Sequence, residues 1–156
     1  MRRTDREITD KAEIAAILAK GDVCHLALVD GHLPYIVALN YGCVWEDGLP
    51  VLYFHCALAG KKLDVLRANS AGCFMVDIDH VLTGGEKDCD WGMSYKSVVG
   101  FGFVAIVGEG PERKKGLDSL MNHYTGRSEF SYDEKVFAMT SMLKMTVTEI
   151  SGKRKN

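Results

Sequence analysis

The sequence predicts a mainly β protein: six antiparallel strands forming a closed or split β-barrel, with helices on its periphery. Three observations carry this expectation. Asp30-Gly31 and Asp47-Gly48 each lie between apolar runs, a strong short-range signal for a hairpin. The apolar runs are short and nearly continuous, as in strands covered on both faces. Helical patterns are few and fall at the start, middle and late part of the chain, so they lie outside a sheet built from hairpins.

The elements follow in order. Asp10 to Lys20 reads as a helix, with Asp10 as its cap, Ile14, Ile17 and Leu18 as its apolar stripe and Gly21 as its stop. Val23 to Val29, Pro34 to Val44 and Pro50 to His55 read as three consecutive strands. A short amphipathic helix, Lys61 to Ala68, follows, with Leu63 and Leu66 on one side and Asp64 and Arg67 on the other. Gly72 to Ile78 is the fourth strand, and "HVLTGGEKDCDWG" reads as a loop. Ser94 to Val107 is a long fifth strand, in which Gly100 and Gly102 mark a bulge or a close backbone approach. A helix begins at Pro111 and stops at Gly126, and a short helical turn is expected over Asp133 to Ala138. "MLKMTVTEI" alternates as the last strand, and "GKRKN" reads as a solvated basic end.

Composition narrows the function classes. The 156 residues suit one domain with a real core. An apolar fraction of 47% and a charged fraction of 26% fit an ordinary globular protein. A net charge of −2 leaves no footprint for general nucleic-acid binding. No apolar run approaches the ~20 residues that span a bilayer. Five cysteines without a CxxC spacing, and no apolar stretch behind the basic first residues, lead us to expect the reducing cytoplasm. No HExxH or CxxC pattern supports a metal, no GxSxG elbow supports a hydrolase, and the glycines of "GFGFVAIVGEG" lie inside a strand rather than in a dinucleotide-binding turn.

Three stretches carry the chemistry. In "LYFHCALAGKKLDVLRANS", His55 ends a strand and Lys61 and Lys62 open a helix. Lysines at a helix N-terminus oppose its dipole, which is understandable when an anion such as phosphate sits between them. Spacing alone leaves this open against a solvated lysine pair and a half-buried histidine. In "WGMSYKSVVGFG", Tyr95, Ser97 and Val99 share one strand face and Ser94, Lys96 and Val98 the other. A face with a hydroxyl and an aromatic suits a planar ligand, and an ordinary barrel strand explains it too. In "PYIVALNYG", Asn40 is polar within an apolar run and needs partners if buried.

Taken in order, these three stretches resemble the pyridoxamine 5'-phosphate oxidase-like flavoproteins, and within them the nitroimidazole-resistance (Nim) branch. "RRTDREITD" and "EISGKR" extend the likeness over nearly the whole chain. The resemblance implies a six-stranded FMN-binding split barrel and a homodimer with flavin at the interface. It places Ala38, Leu39, Asn40 and Tyr41 beside the isoalloxazine ring. His55, Lys61 and Lys62 match the region of the FMN phosphate. Tyr95, Ser97 and Val98 match a strand bordering the flavin, supplied by the same or the partner subunit. A histidine matching His55 has been linked to antibiotic reduction in the Nim branch, which makes His55 the expected catalytic residue. The implied activity is reduction of a small electron-poor substrate, such as a nitroaromatic, with NAD(P)H as the expected donor. FAD, haem or a deazaflavin are the alternative cofactors, and a non-catalytic flavin or haem carrier is the alternative function. The chain carries Lys-Lys where the oxidases proper carry Arg-Lys, and it ends in "SGKRKN". Pyridoxamine phosphate is therefore not the expected substrate.

Overall fold

The computed structural model describes residues 3–155, so Arg2 and Asn156, at the two ends of the sequence patterns, lie outside the described residues. Eight strands and four helices run in the order β1 (Glu7–Ile8), α1 (Lys11–Lys20), β2 (Cys24–Asp30), β3 (Leu33–Leu39), β4 (Gly42–Glu46), β5 (Leu49–Ala57), α2 (Lys61–Ala68), β6 (Ala71–Thr83), β7 (Gly92–Val107), α3 (Pro111–Thr125), α4 (Glu134–Ala138) and β8 (Thr140–Lys155). All strand pairs are antiparallel, in the spatial order β3-β2-β6-β7-β8-β5-β4, with β1 added to β8. The two edge strands, β3 and β4, are consecutive in sequence and joined only by Asn40 and Tyr41. The sheet therefore curls until its edges meet, yet they do not pair: this is a split barrel.

The turns explain the register. Asp47 and Gly48 both take positive φ, 50° and 80°, as a type I′ hairpin turn requires. The first hairpin turns one residue later than the Asp-Gly signal indicated, on Gly31 (φ 63°) and His32, with Asp30 paired to Leu33. The alternation then points Cys24, Leu26 and Leu28 inward from β2 and Phe74 and Val76 inward from β6. Leu52 and Phe54 of β5 and Leu143, Met145 and Val147 of β8 join the same cluster. Each fully buried large apolar side chain contributes about 1.5–3 kcal/mol. Helix α1 covers one end with Ile14, Ile17 and Leu18, and Asp10 accepts a hydrogen bond from the Ala12 N–H at its start.

Helix α3 lies against the outside of β4 and β5. Gly42 permits this approach, since a Cβ there would stand 2.4 Å from the Leu120 nitrogen. Beneath the helix, the Tyr53 hydroxyl donates to Glu112 Oε1 (2.5 Å) and the Lys144 ammonium donates to the same oxygen (2.7 Å). These two hydrogen bonds hold the Glu112 carboxyl below its ordinary range. Burial, with Glu112 beside it, pushes the Tyr53 phenol up. At the far end of α3, Gly126 takes φ 66° and closes the helix as expected.

The structure departs further from the sequence reading at three places. The single strand expected over Pro34 to Val44 divides at Asn40–Tyr41, because the chain there crosses from one sheet edge to the other. Strand β6 runs on to Thr83 through residues expected to be loop. Pairing with the start of β7 holds it, across a bulge where Asp79 takes φ 58°. The basic end is not a free tail: Lys153, Arg154 and Lys155 pair with Ser97, Lys96 and Tyr95. Gly21 stops α1 as expected, in an extended conformation with its N–H on the Ile17 carbonyl. Among the described residues no helix is long and apolar enough to cross a membrane.

Gly102 faces the tightest backbone contact, since a Cβ there would lie 2.1 Å from the Thr146 carbonyl oxygen. Gly102→Ala is expected to lower the unfolding free energy by at least ~1–3 kcal/mol in urea titration. Gly108→Ala, with open space at that position, is the control expected to change little. The lowered Glu112 value sets a pH dependence. Its stabilisation is present above the ordinary carboxylate range and is lost as pH falls through the lower folded value. Glu112→Gln is expected to remove that part of the acid sensitivity in thermal melts.

Candidate functional site

The turn between β5 and α2 forms a recess of about 240 Å³ lined by Tyr35, Cys56, Ala57, Ala59, Gly60, Lys61, Lys62 and Leu63. Its shape begins with Gly60, whose φ of 140° is open to glycine and strained for other residues. No side chain caps α2, and the Gly60 carbonyl takes the N–H groups of Leu63 and Asp64. The N–H groups of Lys61 and Lys62 are left facing outward at the positive end of the helix. Lys61 is paired with Asp30 at 2.9 Å and lies over the Tyr35 ring at 5.1 Å. Hydrogen bonding to Asp30 raises its ammonium above the ordinary lysine range. Lys62 has no ion-pair partner among the described residues. An unspent ammonium, two unspent N–H groups and an open glycine turn fit a phosphate.

Strand alternation decides which neighbours share this recess. Cys56 enters it and His55 does not: His55 is exposed on the opposite face of β5. Burial raises the Cys56 thiol, offset in part by nearby Lys62 and by Ser141. His55 is paired across strands with Met142 of β8.

The remaining expected site residues divide by face. Ala38 and Asn40 are exposed, and Leu39 is half-buried against the core. Tyr41 is wholly buried: its hydroxyl donates to the Leu18 carbonyl (2.6 Å) and its N–H to the Tyr124 hydroxyl (3.1 Å). Val98 is wholly buried inside the barrel, so Tyr41 and Val98 offer a ligand only their backbone. Tyr95 and Ser97 point to the outer face of β7, the face that also carries Ala38, but Ser97 is buried there while Tyr95 is half-buried. Between Ala38 and Ser97 stand His25 and Asp77, which sequence reasoning missed as site residues. His25 is paired across strands with Ala38, and Asp77 with Ser97. The only sequence signal was their placement at odd steps from Cys24 and Val76, which makes them outward-facing once the neighbours are known to be core.

The same outer face is apolar further along. Ile36, Met75, Phe101 and Phe103 are 62%, 39%, 51% and 59% exposed. They lie on β3, β6 and β7, with Ala27 of the intervening β2 and Cys73 of β6 between Ile36 and Phe101.

Comparison with known proteins gives one consistent answer. The family profile described as pyridoxamine 5'-phosphate oxidase matches residues 10–154. Among solved structures, a putative 5-nitroimidazole antibiotic resistance protein from Bacteroides thetaiotaomicron superimposes with a TM-score of 0.81 at 29% identity, covering 95% of this chain and 86% of that one. An FAD- and haem-binding protein from Mycobacterium smegmatis gives 0.82 at 17% identity, over 97% and 74%. An FAD-binding protein from Mesorhizobium loti gives 0.67 at 22% identity, over 97% and 98%. No curated protein matches at a significant level.

The recess predicts unequal lysines. Lys62→Ala is expected to weaken inorganic phosphate or pyrophosphate binding more than Lys61→Ala, because Lys61 is already engaged by Asp30. Loss of a charge-assisted contact costs about 1.5–3 kcal/mol, and calorimetric titration of the two variants measures the difference.

Proposed function

The chain belongs to the pyridoxamine 5'-phosphate oxidase family, and from that premise we propose that it is an FMN-dependent oxidoreductase reducing a small electron-poor acceptor of the nitroimidazole or nitroaromatic class. The observation that carries this reading is the recess at the start of α2, with its unpaired Lys62 and free N–H groups. The likeness to a nitroimidazole-resistance protein supports the acceptor class.

A bound flavin supplies the reversible two-electron chemistry, and the protein binds it, orients it and limits water. Lys61, Lys62 and the two N–H groups hold the phosphate. The exposed Ala38 and Asn40, with the backbone at Leu39 and Tyr41, form one border of the ring. Tyr95, Ser97 and the Val98 backbone form another, from the same or the partner subunit. His55, exposed at the end of β5 outside the lysine recess, is the proposed contact to the cofactor's edge or the acceptor. NAD(P)H is the proposed donor.

The apolar outer face around Ile36, Phe101 and Phe103 supports a homodimer with the cofactor at its interface, since monomers seldom leave such a patch bare. Five unpaired cysteines support a cytoplasmic location.

The purified protein is expected to be yellow, with flavin bound at one equivalent per chain and a dimeric mass in solution. Replacing both lysines, Lys61→Ala with Lys62→Ala, is expected to weaken FMN by roughly 10-fold or more while leaving riboflavin nearly unaffected, because only FMN carries the phosphate. Fluorescence quenching of each flavin measures both. A colourless protein that takes up no FMN, or equal loss for the two flavins, overturns the reading. A flavin that binds but never turns over with NAD(P)H and a nitro compound leaves a carrier instead.

A further inference from the structure

Two recesses beside α3 are absorbed by none of the roles above, and they share no lining residue with the recess at α2. One, of about 520 Å³, holds the polar side chains of Lys114, Lys115, Asp118, Ser119, Asn122 and Ser128. The other, of about 580 Å³, is walled by Phe130, Tyr132 and Phe137, with Glu134 beside them. Pro111, Lys114 and Phe130 line both, so the two are halves of one groove. Each volume falls in the range of small-molecule sites.

The rings of the aromatic half are held in place. Tyr132 stacks on Phe130, with 6.3 Å between ring centres and 22° between planes, and on Phe137, with 5.9 Å and 26°. Its hydroxyl donates to Asp118 (2.8 Å), and the Lys114 ammonium donates to the same carboxylate (2.6 Å). The Arg113 guanidinium lies over Phe137 at 4.5 Å and donates to the carbonyls of Phe137 and Thr140. Residues 126–133 form no helix or strand, so these side-chain contacts set where Phe130 and Tyr132 stand.

Charge is uneven along the groove. The polar half sets the two ammonium groups of Lys114 and Lys115 against the one carboxylate of Asp118. Both lysines are exposed, and exposed ion pairs such as theirs with Asp118 and Glu46 are weak enough for an anion to compete. The Ser119 Oγ, in the wall of this half, is buried without a hydrogen-bond partner. In the aromatic half, Glu134 is exposed and has no ion-pair partner among the described residues. The complementary ligand has a flat ring that stacks, an N–H donor on that ring for the carboxylate, and an anion at its other end. A nucleoside phosphate whose base carries an amino group has all three.

We propose that the groove along α3 binds an adenine nucleotide, with the base among Phe130, Tyr132 and Phe137 and the phosphate at Lys114 and Lys115. The nucleotide is either free or the adenylate end of the dinucleotide donor. Only the second source rests on the flavin reading.

AMP is the probe. Lys61→Ala with Lys62→Ala is the background, so that the α2 recess cannot hold the phosphate. Calorimetric titration is expected to give one site, and amide resonances are expected to shift over residues 110–119 and 128–137. Phe130→Leu keeps an apolar side chain and removes the ring, and it is expected to weaken AMP about 10-fold, the scale of base–aromatic stacking. Ribose phosphate, which has no base, is expected to bind the variant and the parent alike. Glu134→Ala is expected to erase the preference for AMP over IMP, whose ring carries an oxygen in place of the amino group. Should Phe130→Leu fail to fold, Lys115→Ala is expected to weaken AMP and ribose phosphate equally, by about 10-fold. In FMN-loaded protein, a raised KM for NADH in Phe130→Leu, with no change for reduced nicotinamide mononucleotide, supports the groove as the adenylate site of the donor. AMP binding with an unchanged KM supports it as a site for free nucleotide. No AMP binding, or equal AMP affinity in Phe130→Leu and the parent, overturns the proposal and leaves the flavin reading in place. A protein that takes up no FMN overturns the flavin reading, and the AMP titration still decides the groove.

Discussion

Asn40 and Tyr41 are the two-residue link between the first and last strands of the sheet path, and the shape of the molecule depends on them. A flat twisted sheet of this length would hold its edges far apart. From Leu39 to Gly42 the chain spans only about 10–11 Å at full extension, so the sheet has to curl. Tyr41 then fastens the link. Its hydroxyl reaches the Leu18 carbonyl at the end of α1, its N–H reaches Tyr124 on α3, and its ring lies 4.6 Å from that of His123. His123 and Tyr124 in turn bind the carbonyls of Gly21 and Asp22. One buried side chain thus ties two helices and both sheet edges together. Burial raises its phenol well above the ordinary tyrosine range, so it stays a neutral donor.

This closure sorts the polar residues. Side chains at odd and even steps along each strand are committed to core or surface. The surface is divided again into the part under α3 and the part left open. Tyr53 and Met142 fall under the helix. Ala38, His25, Asp77 and Tyr95 fall on the open part, with Ser97 buried beside them, next to an apolar area that stays exposed among the described residues. The lysine recess lies at another point of the rim, where β5 hands over to α2.

Much of this was legible in the sequence. The Asp47-Gly48 turn, the cap at Asp10, the helix start at Pro111 and the helix stop at Gly126 are local signals, and local backbone chemistry honours them. The family resemblance was legible as well, because it rests on ordered short stretches and not on pairing. What was hidden depends on partners distant in sequence. Nothing near Asn40 says that the strand must break there, since the break exists to join two edges. The fate of "GKRKN" depends on β7 extending far enough to pair with it. His55 and Cys56 are adjacent letters, and only the sheet decides that the cysteine enters the recess. His25 looked like half of an unpromising Cys-His pair until Asp77 and His80 were brought beside it from 52 and 55 residues away.

The Lys61–Asp30 pair has a consequence for selectivity. A guest anion in the recess must compete with a tethered carboxylate for one of the two ammonium groups. A singly charged guest gains little by such an exchange, since it offers the same charge that Asp30 already provides. A doubly charged phosphomonoester offers more and can hold both lysines. If the recess takes the proposed phosphate, Asp30 would act as a built-in competitor that sets a threshold of charge, favouring terminal phosphates over phosphodiesters and carboxylates.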